Sequence, residues 1–214
     1  MLELGVKLLI AYLLGSIVGS LLLGWLRGGV DIRTMGSGNA GGTNALRTQG
    51  FGFALCVMII DIGKGWIAAA LVPSLNLPFV GIEPAIDRSW LAVGCATAAV
   101  IGHVYPVWHG FRGGKGAATL VGVVIGLRPE ALLALLVVWL VVVMVSGYVS
   151  LATMLAVVAF PIYFLLTDAQ PSPALLAFGC AMAVFVCFTH RTNIQRILSG
   201  TENRAQRLWL LRSR

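Results

Sequence analysis

A glycine-rich segment with flanking arginines, residues 31–47, is the part of this sequence best suited to chemistry. Its glycines are Gly36, Gly38, Gly41 and Gly42. Glycine permits positive φ and close backbone approach, so successive N–H groups can converge on an anion. Its other hydrogen-bonding and charged residues are Arg33, Ser37, Asn39, Thr43, Asn44 and Arg47. The pattern predicts an anion site, whereas a flexible connector, the alternative reading, has no need of arginines and asparagines.

A second segment, residues 109–116, combines glycines with a lysine where a helix is expected to begin. Its glycine-lysine run is Gly113, Gly114, Lys115 and Gly116. Such a run resembles the phosphate cradles found at helix N-termini. It is not a Walker A motif, because Gly116 stands where that motif has Ser or Thr. A phosphate clamp without a magnesium nucleotide is therefore expected, and the alternative is a lysine at the membrane surface that only orients the chain.

Two further polar segments add candidates. Ser150 lies between two apolar runs, where it can bind a substrate or cap a helix. If residues 190–196 are helical, His190 and Asn193 share a face, and His190 is the histidine that we expect to act chemically. His103 precedes the lysine segment and either orients that loop or contacts a substrate.

Asp61 and Lys64 stand three positions apart within an apolar run. Ionisable residues in such a run are costly in a membrane and are usually paired or functional. On a helix this spacing lets the two side chains reach each other. The spacing predicts either a structural ion pair or a contribution to the polar site.

The composition is that of an integral membrane protein. Of 214 residues, 58% are hydrophobic and 11% are charged, and the mean hydropathy is +0.92. Soluble domains carry roughly 25% charged residues. The four cysteines lie in apolar runs without a C-x-x-C pair, so we expect buried thiols and no metal site.

The apolar runs predict an all-α bundle of seven transmembrane helices, forming one domain over residues 1–214. A spanning helix needs roughly 20 mostly apolar residues. The fourth run is short and would cross only as a short or tilted helix. The runs cover approximately residues 2–26, 51–72, 90–107, 117–127, 129–146, 148–166 and 173–189.

Basic residues indicate the orientation. With the N-terminus outside and the C-terminus in the cytoplasm, eleven Lys and Arg residues lie on the cytoplasmic side and three lie outside. Without the fourth span, the C-terminal basic cluster would fall on the other side. All the polar segments then share the cytoplasmic face, and the net charge of +7 needs no nucleic acid to explain it.

The absence of two residue patterns argues against two classes of enzyme. Asp31 and Glu202 are far apart in sequence, so the cytoplasmic segments lack the carboxylate cluster of a two-metal phosphotransferase. No histidine is followed five positions later by aspartate, the spacing of glycerolipid acyltransferases that use a His/Asp pair. What remains is a site of Arg, Lys, Ser, Asn and glycine amides. Such a site binds anions and stabilises developing negative charge.

Four sequence blocks, in their order and spacing, resemble the bacterial acyl-phosphate:glycerol-3-phosphate acyltransferase family (PlsY). The resemblance covers nearly the whole chain. The blocks are Gly36-Ser-Gly-Asn-Ala-Gly-Gly-Thr-Asn44 with Arg47, Asp61-Ile-Gly-Lys-Gly65, Gly102-His-Val-Tyr-Pro-Val107 with Phe111-Arg-Gly-Gly-Lys-Gly116, and His190-Arg-Thr-Asn-Ile-Gln-Arg196 with Gly200-Thr-Glu202.

This resemblance implies an enzyme of the bacterial inner membrane that acts as a monomer with its active site on the cytoplasmic face. It would transfer an acyl group from acyl phosphate to the 1-hydroxyl of glycerol 3-phosphate, giving lysophosphatidic acid and phosphate. This is the first step of bacterial phospholipid synthesis. Neither acyl-CoA nor acyl carrier protein would be the direct donor, and no metal or other cofactor would be required.

The resemblance also suggests roles for the candidate residues. Either His190 orients the glycerol hydroxyl, or a substrate phosphate oxygen accepts its proton. The lysine segment would lie at the acyl phosphate. The catalytic candidates are Ser37, Arg47, Lys115 and His190; the substrate-binding candidates are Gly36, Gly38, Asn39, Thr43, Asn44, Gly113, Gly114, Gly116, Ser150 and Asn193; and the supporting candidates are Asp61, Lys64 and His103.

An organic-phosphate or anion transporter is the alternative hypothesis. It would explain the basic loops and the charged pair inside a span. Transporters, however, usually have polar breaks near the midplane in paired repeats, and this sequence shows no repeat. A lipid-binding scaffold would not need two separate glycine-basic loops.

Overall fold

Ten α-helices hold most of residues 1–78 and 80–211, which this computed structural model describes. The chain forms two compact units, Met1–Leu127 and a second unit that begins at Arg128. The first contains α1 (Leu2–Gly15), α2 (Gly19–Leu26), α3 (Gly42–Gln49), α4 (Phe51–Trp66), α5 (Arg88–Val104) and α6 (Ala117–Leu127). The second contains α7 (Ala131–Ser146), α8 (Val149–Thr167), α9 (Pro173–Thr189) and α10 (Arg191–Leu198). The prediction of an all-helical protein is confirmed, and the prediction of a single domain stays a prediction.

Several of these helices are suited to a membrane. Within the described residues, Phe51–Ser74, Arg88–His109 and Val149–Thr167 are long and apolar enough to cross one. Two bent pairs, α1 with α2 and α9 with α10, bring the number to five if each pair counts once. Helices α6 and α7 are apolar but shorter. The count of seven spans and the orientation of the chain ends therefore stay predictions.

The first predicted span, residues 2–26, differs from a continuous helix. It is two helices that meet at 52°, with the break at residues 16–18. The break exposes backbone groups that a continuous helix would have bonded internally. The site described below uses two of them, the Ile17 carbonyl and the Gly19 N–H.

Helices α4 and α6 approach closely because each has a glycine at their crossing. A Cβ atom on Gly65 of α4 would overlap the Thr119 carbonyl oxygen, and one on Gly122 of α6 would overlap the Ile62 carbonyl oxygen. Small residues at helix crossings let backbones touch and pack in an apolar environment. After Trp66, α4 continues through a π-helical turn, Ile67–Leu71, and ends in the 3₁₀ turn Val72–Ser74.

The second unit is built on α8, which packs against α7 and α9. Phe160 and Phe164 of α8 are buried and meet edge to face, with ring centroids 4.7 Å apart. Phe178 of α9 meets Phe160 in the same way at 6.3 Å. Such edge-to-face pairs are favoured by the ring quadrupoles. This aromatic core lies in the C-terminal half of α8, whereas Ser150 lies in its first turn.

We predict that Gly65→Ala destabilises the protein, because its methyl group requires α4 and α6 to separate. Overpacking of this kind costs about 1–3 kcal/mol. The matched control is Gly63→Ala, since a Cβ at Gly63 meets nothing within 4 Å. Thermal unfolding in detergent should show a lower midpoint for Gly65→Ala and an unchanged or higher one for Gly63→Ala. Equal midpoints for the two variants would show that this crossing tolerates a side chain.

Candidate active site

The Asn44 side chain organises the first glycine-rich segment, residues 31–41, hereafter the glycine loop. Its Nδ2 group donates to the carbonyls of Ile32, Met35 and Asn39 at 2.9–3.0 Å. Its Oδ1 accepts from the Ser37 N–H at 2.9 Å. Asn44 is buried, and these four bonds close the loop over the first turn of α3. The residue predicted to bind substrate therefore shapes the loop from the inside.

The outer surface of this segment carries the other predicted residues. Gly36 and Gly38 adopt φ of +57° and +73°, and a Cβ on Gly36 would overlap the Asn44 amide. Thr43 and Arg47, one helical turn apart on α3, are exposed. Ser37, Gly38 and Asn39 before α3 and Thr43 in its first turn are at least partly exposed, and Arg47 is exposed in its last turn. The first turn of a helix suits an anion.

Arg33 has a different role from that of a free surface charge. Asp31 caps the 3₁₀ turn Ile32–Thr34 by accepting from the Arg33 N–H at 2.9 Å, and its carboxylate also accepts from the Arg33 guanidinium at 2.7–3.0 Å. The hydrogen bond from Arg33 lowers the pKa of Asp31, and the same bond raises the pKa of Arg33. The guanidinium also donates to the carbonyls of His109 and Arg112, at 3.2 and 2.7 Å.

Asp61, Lys64 and His103 form a buried cluster at the break between α1 and α2. The Lys64 ammonium lies 2.9 Å from Asp61 Oδ1, 2.9 Å from His103 Nδ1 and 2.6 Å from the Ile17 carbonyl oxygen. Asp61 Oδ1 also accepts from the Gly19 N–H at 3.0 Å. The predicted ion pair is confirmed, and His103 and the helix break complete it. Because an ammonium group only donates, His103 Nδ1 accepts, and the neutral ring carries its proton on Nε2.

The same histidine supports the glycine-lysine segment, residues 109–116, hereafter the lysine loop. The N–H groups of Gly113 and Gly114 donate to the Val104 and His103 carbonyls at 3.0 and 3.1 Å. A Cβ on Gly114 would overlap the His103 ring. Gly116 has φ +87°, and its carbonyl accepts from Leu120 as α6 begins. Lys115 is half-buried at this turn. His103 therefore contacts the loop, and its role in orienting the loop rather than binding a substrate stays a prediction.

An apolar groove opens beside this part of the first unit. It has a volume of about 350 Å³ and is lined by Ile17, Leu21, Leu22, Trp25, Trp108 and His109. The walls are almost entirely apolar, so the groove suits an aliphatic chain rather than a phosphate. His109 contributes to the groove and, through its carbonyl, to the Arg33 contacts.

In the second unit, three polar side chains meet around Glu202. Oε1 accepts from Ser150 Oγ at 2.8 Å and from Asn193 Nδ2 at 2.6 Å, and Oε2 accepts from Arg196 Nε at 2.7 Å. Burial raises the pKa of Glu202, but the bonds from Arg196, Asn193 and Ser150 outweigh it and hold the pKa below its ordinary value. The carboxylate thereby fixes Ser150 of α8 and Asn193 of α10 in one place.

His190 lies at the junction of α9 and α10 and is buried. Its Nδ1 is 2.8 Å from the Val186 carbonyl oxygen. A carbonyl can only accept, so Nδ1 carries a proton and donates to Val186. The segment considered as a possible helix, residues 190–196, is helical from Arg191 and continues to Leu198, with Asn193 and Arg196 bound to the same carboxylate.

The structure therefore assembles the predicted residues in two groups. The glycine loop, lysine loop and Asp61 cluster belong to the first unit, and Ser150, His190 and Asn193 belong to the second. Sequence reasoning missed Glu202 as an organiser, although it stands in the block Gly200-Thr-Glu202. It also missed the internal use of Arg33, for which the Asp31 cap two positions earlier is the available signal. Within residues 1–78 and 80–211, no three His, Cys, Asp or Glu side chains are grouped as metal ligands.

The apolar helices indicate an integral membrane protein, and its glycine-basic loops are of the kind that suits anionic groups. A family profile described as glycerol-3-phosphate acyltransferase matches residues 6–200. Glycerol-3-phosphate acyltransferase from Chlorobaculum tepidum is 41% identical over 219 residues, covering 92% of this chain and 94% of that protein. The enzyme of the same name from Chlorobium limicola is 40% identical, covering 95% and 97%.

Two solved structures are also similar. Both are crystal structures of PlsY (YgiH), an integral membrane glycerol 3-phosphate acyltransferase, in a glycerol 3-phosphate form and a lysophosphatidic acid form. Each has a TM-score of 0.80 and covers 94% of both chains, with sequence identities of 34% and 35%. The chain described here belongs to the glycerol-3-phosphate acyltransferase family and is an acyltransferase.

We predict that Glu202→Gln destabilises the protein in a pH-dependent manner. A carboxylate whose pKa is lowered on folding stabilises above its ordinary value of 4.5 and loses this contribution as the pH falls through the lowered value. At pH 7 the variant should unfold at least about 3 °C below the wild type, or roughly 1 kcal/mol for a chain of this size. This difference should shrink below a pH of about 4.5.

The control for this prediction is Glu130→Gln in the same unit. Glu130 is paired with Arg128, but its side chain is half exposed, and exposed ion pairs contribute little. Its midpoint should match the wild type at every pH. A Glu202→Gln midpoint that follows the wild type from pH 7 to pH 4 would contradict the assignment of Glu202 as an organising carboxylate.

Proposed function

We propose that the protein transfers a fatty acyl group from acyl phosphate to the 1-hydroxyl of glycerol 3-phosphate. The hydroxyl oxygen attacks the acyl carbonyl carbon, and the bond from that carbon to the phosphate oxygen breaks. The products are lysophosphatidic acid and inorganic phosphate. Membership in the glycerol-3-phosphate acyltransferase family carries the acceptor and the reaction type, and favours the enzyme over the transporter hypothesis. The names of the solved relatives, which include glycerol 3-phosphate and lysophosphatidic acid forms, support the acceptor and the product.

The choice of donor is supported by the first unit. Both proposed substrates carry a phosphate, and this unit has two glycine-rich segments that each have a cation near them in sequence, Arg47 in one case and Lys115 in the other. We assign the lysine loop to the acyl phosphate and the surface of the glycine loop with Arg47 to phosphate binding as well. The apolar groove of the first unit can take an aliphatic chain of the donor.

Phosphate is a good leaving group, so the main requirement is to place the reactants and stabilise negative charge. Backbone amides and fixed cations that point at developing charge do so without reorganising during the reaction. We assign Ser37, Gly38, Asn39, Arg47 and Lys115 to this task. Asn44, which donates to three carbonyls, maintains the loop that presents them.

The second unit supplies the groups proposed to handle the glycerol hydroxyl. With Nδ1 donating to Val186, His190 offers Nε2 as an acceptor for that hydroxyl. The proton then passes to Nε2 or to a substrate phosphate oxygen. Ser150 and Asn193, aligned by Glu202, are assigned to substrate binding together with His190.

We also propose where the enzyme works. It is a multi-pass protein of the bacterial inner membrane that acts as a monomer, with its active site on the cytoplasmic face.

The direct test is an assay with purified protein, acyl phosphate and glycerol 3-phosphate in a metal-chelating buffer. We expect phosphate release that requires both substrates and matches the lysophosphatidic acid formed, one to one. Acyl-CoA in place of acyl phosphate should give no product. Glycerol 3-phosphate uptake into vesicles without acylation would contradict the proposal in favour of transport, and activity with acyl-CoA alone would overturn the assigned donor.

Substitution of the two loop cations should reduce this activity. Loss of one group that stabilises transition-state charge typically lowers kcat by about 10²–10³-fold, and we expect Lys115→Ala and Arg47→Ala each to fall in that range. Both variants should keep the wild-type unfolding midpoint. The control is Arg27→Ala, because Arg27 is an exposed residue that lies over the Phe53 ring and is not assigned to either substrate. Near-normal turnover in either loop variant would remove that residue from the proposed site.

A further inference from the structure

Arg33 is committed to contacts within the protein. An arginine has five N–H groups, and four of those of Arg33 are used: Nε and one N–H of NH2 bind Asp31, and NH1 binds two carbonyls. The residue is only partly exposed. A guanidinium bound in this way stabilises the local fold. Arg47, in contrast, is exposed on α3. The two arginines that flank the glycine loop therefore differ in role.

The contacts of Arg33 join the two loops of the first unit. Its backbone and Asp31 belong to the glycine loop, and the carbonyls that it binds, of His109 and Arg112, belong to the lysine loop 76 and 79 positions later. The planar guanidinium reaches both sides at once, because its N–H groups point in fixed directions. Asp31 accepts two of these groups and so fixes the plane of the other two.

Each loop also has its own internal support. Asn44 closes the glycine loop, and the carbonyls of His103 and Val104 hold the lysine loop. Removal of the Arg33 contacts would therefore leave the two loops formed but free to shift relative to each other. Two reacting groups that are bound but misplaced by about 1 Å can react roughly 10²-fold more slowly.

We propose that Arg33, held by Asp31, is a positioning residue that fixes the separation of the glycine loop and the lysine loop for acyl transfer. The inference rests on the proposed function, in which both loops bind phosphate groups. Arg33 contacts neither substrate and acts through the backbone of residues 109–112. Its loss therefore lowers the rate of transfer and leaves the binding of each substrate nearly intact.

The first test is Arg33→Lys, with Arg27→Lys as its matched control. Lysine keeps the charge, but a single ammonium cannot bind the Asp31 carboxylate and span both carbonyls as the guanidinium does. We expect kcat to fall by about 10–100-fold, with each KM changed by less than about 3-fold, and the control to behave as the wild type. The unfolding midpoint, measured on the same samples, should give the same folded fraction for all three proteins.

The second test is Asp31→Asn, alone and with Arg33→Lys. Asparagine can still cap the 3₁₀ turn by accepting from the Arg33 N–H, so the substitution removes the ion pair and keeps the cap. The single variant should lose kcat in the same manner. The double variant should lose little more than Arg33→Lys alone, since residues that act as one unit are not additive.

The outcomes separate this inference from the proposed function. If the wild type forms no lysophosphatidic acid from acyl phosphate, the proposed function fails whatever the variants do. If the wild type is active, three results would overturn the positioning role alone: wild-type kcat in Arg33→Lys, a loss that matches the loss of folded protein, or a large rise in KM for one substrate. The last result would make Arg33 a direct ligand.

Discussion

The Lys64 ammonium group is a positive charge held within an apolar helical unit. An unpaired charge in such surroundings is expensive, so its partners must come from the protein. It has three, each from a different element: Asp61 from its own helix, His103 from α5 and the Ile17 carbonyl from the break between α1 and α2. Helix α1 can bend at this point because the freed Ile17 carbonyl and Gly19 N–H both find partners in the cluster.

Through His103, this cluster also contacts the lysine loop, which is proposed to bind the acyl phosphate. His103 binds Lys64 through its ring and the Gly114 N–H through its carbonyl, and its ring fills the space where a Gly114 side chain would lie. The direction of α5 and the path of the lysine loop are thereby fixed by one residue. Lys115, the next residue along that loop, takes its place from the same contacts. A charged pair buried in a helix thus supports the loop of the proposed anion site.

Structural features could be predicted when the residues that form them lie close together in the sequence, and were missed when those residues lie far apart. The bounds of α6 and α9, and the pairing of Asp61 with Lys64, depend on residues close together in the chain, and the sequence patterns predicted them. The bend at residues 16–18 depends on a lysine 47 positions away, and an apolar run gives no sign of it. Glu202 has two partners nearby in the chain, Asn193 and Arg196, but its link to Ser150 spans 52 positions and could not be predicted. Arg33 looked like a free charge because the carbonyls that it binds carry no sequence signal.

The polar side chains fall into two groups: those that form hydrogen bonds within the protein and those that are exposed. Asn44, Arg33 and Lys64 in the first unit, and Glu202 in the second, have their hydrogen-bonding groups occupied by the protein itself. In the first unit, the internal contacts leave the glycine-loop surface and the exposed Arg47 facing outward. This division suits a reaction that depends on placing two phosphate groups. Amides and cations that are already fixed need not reorganise as charge develops, and the fixing is done by side chains that the substrates need never touch.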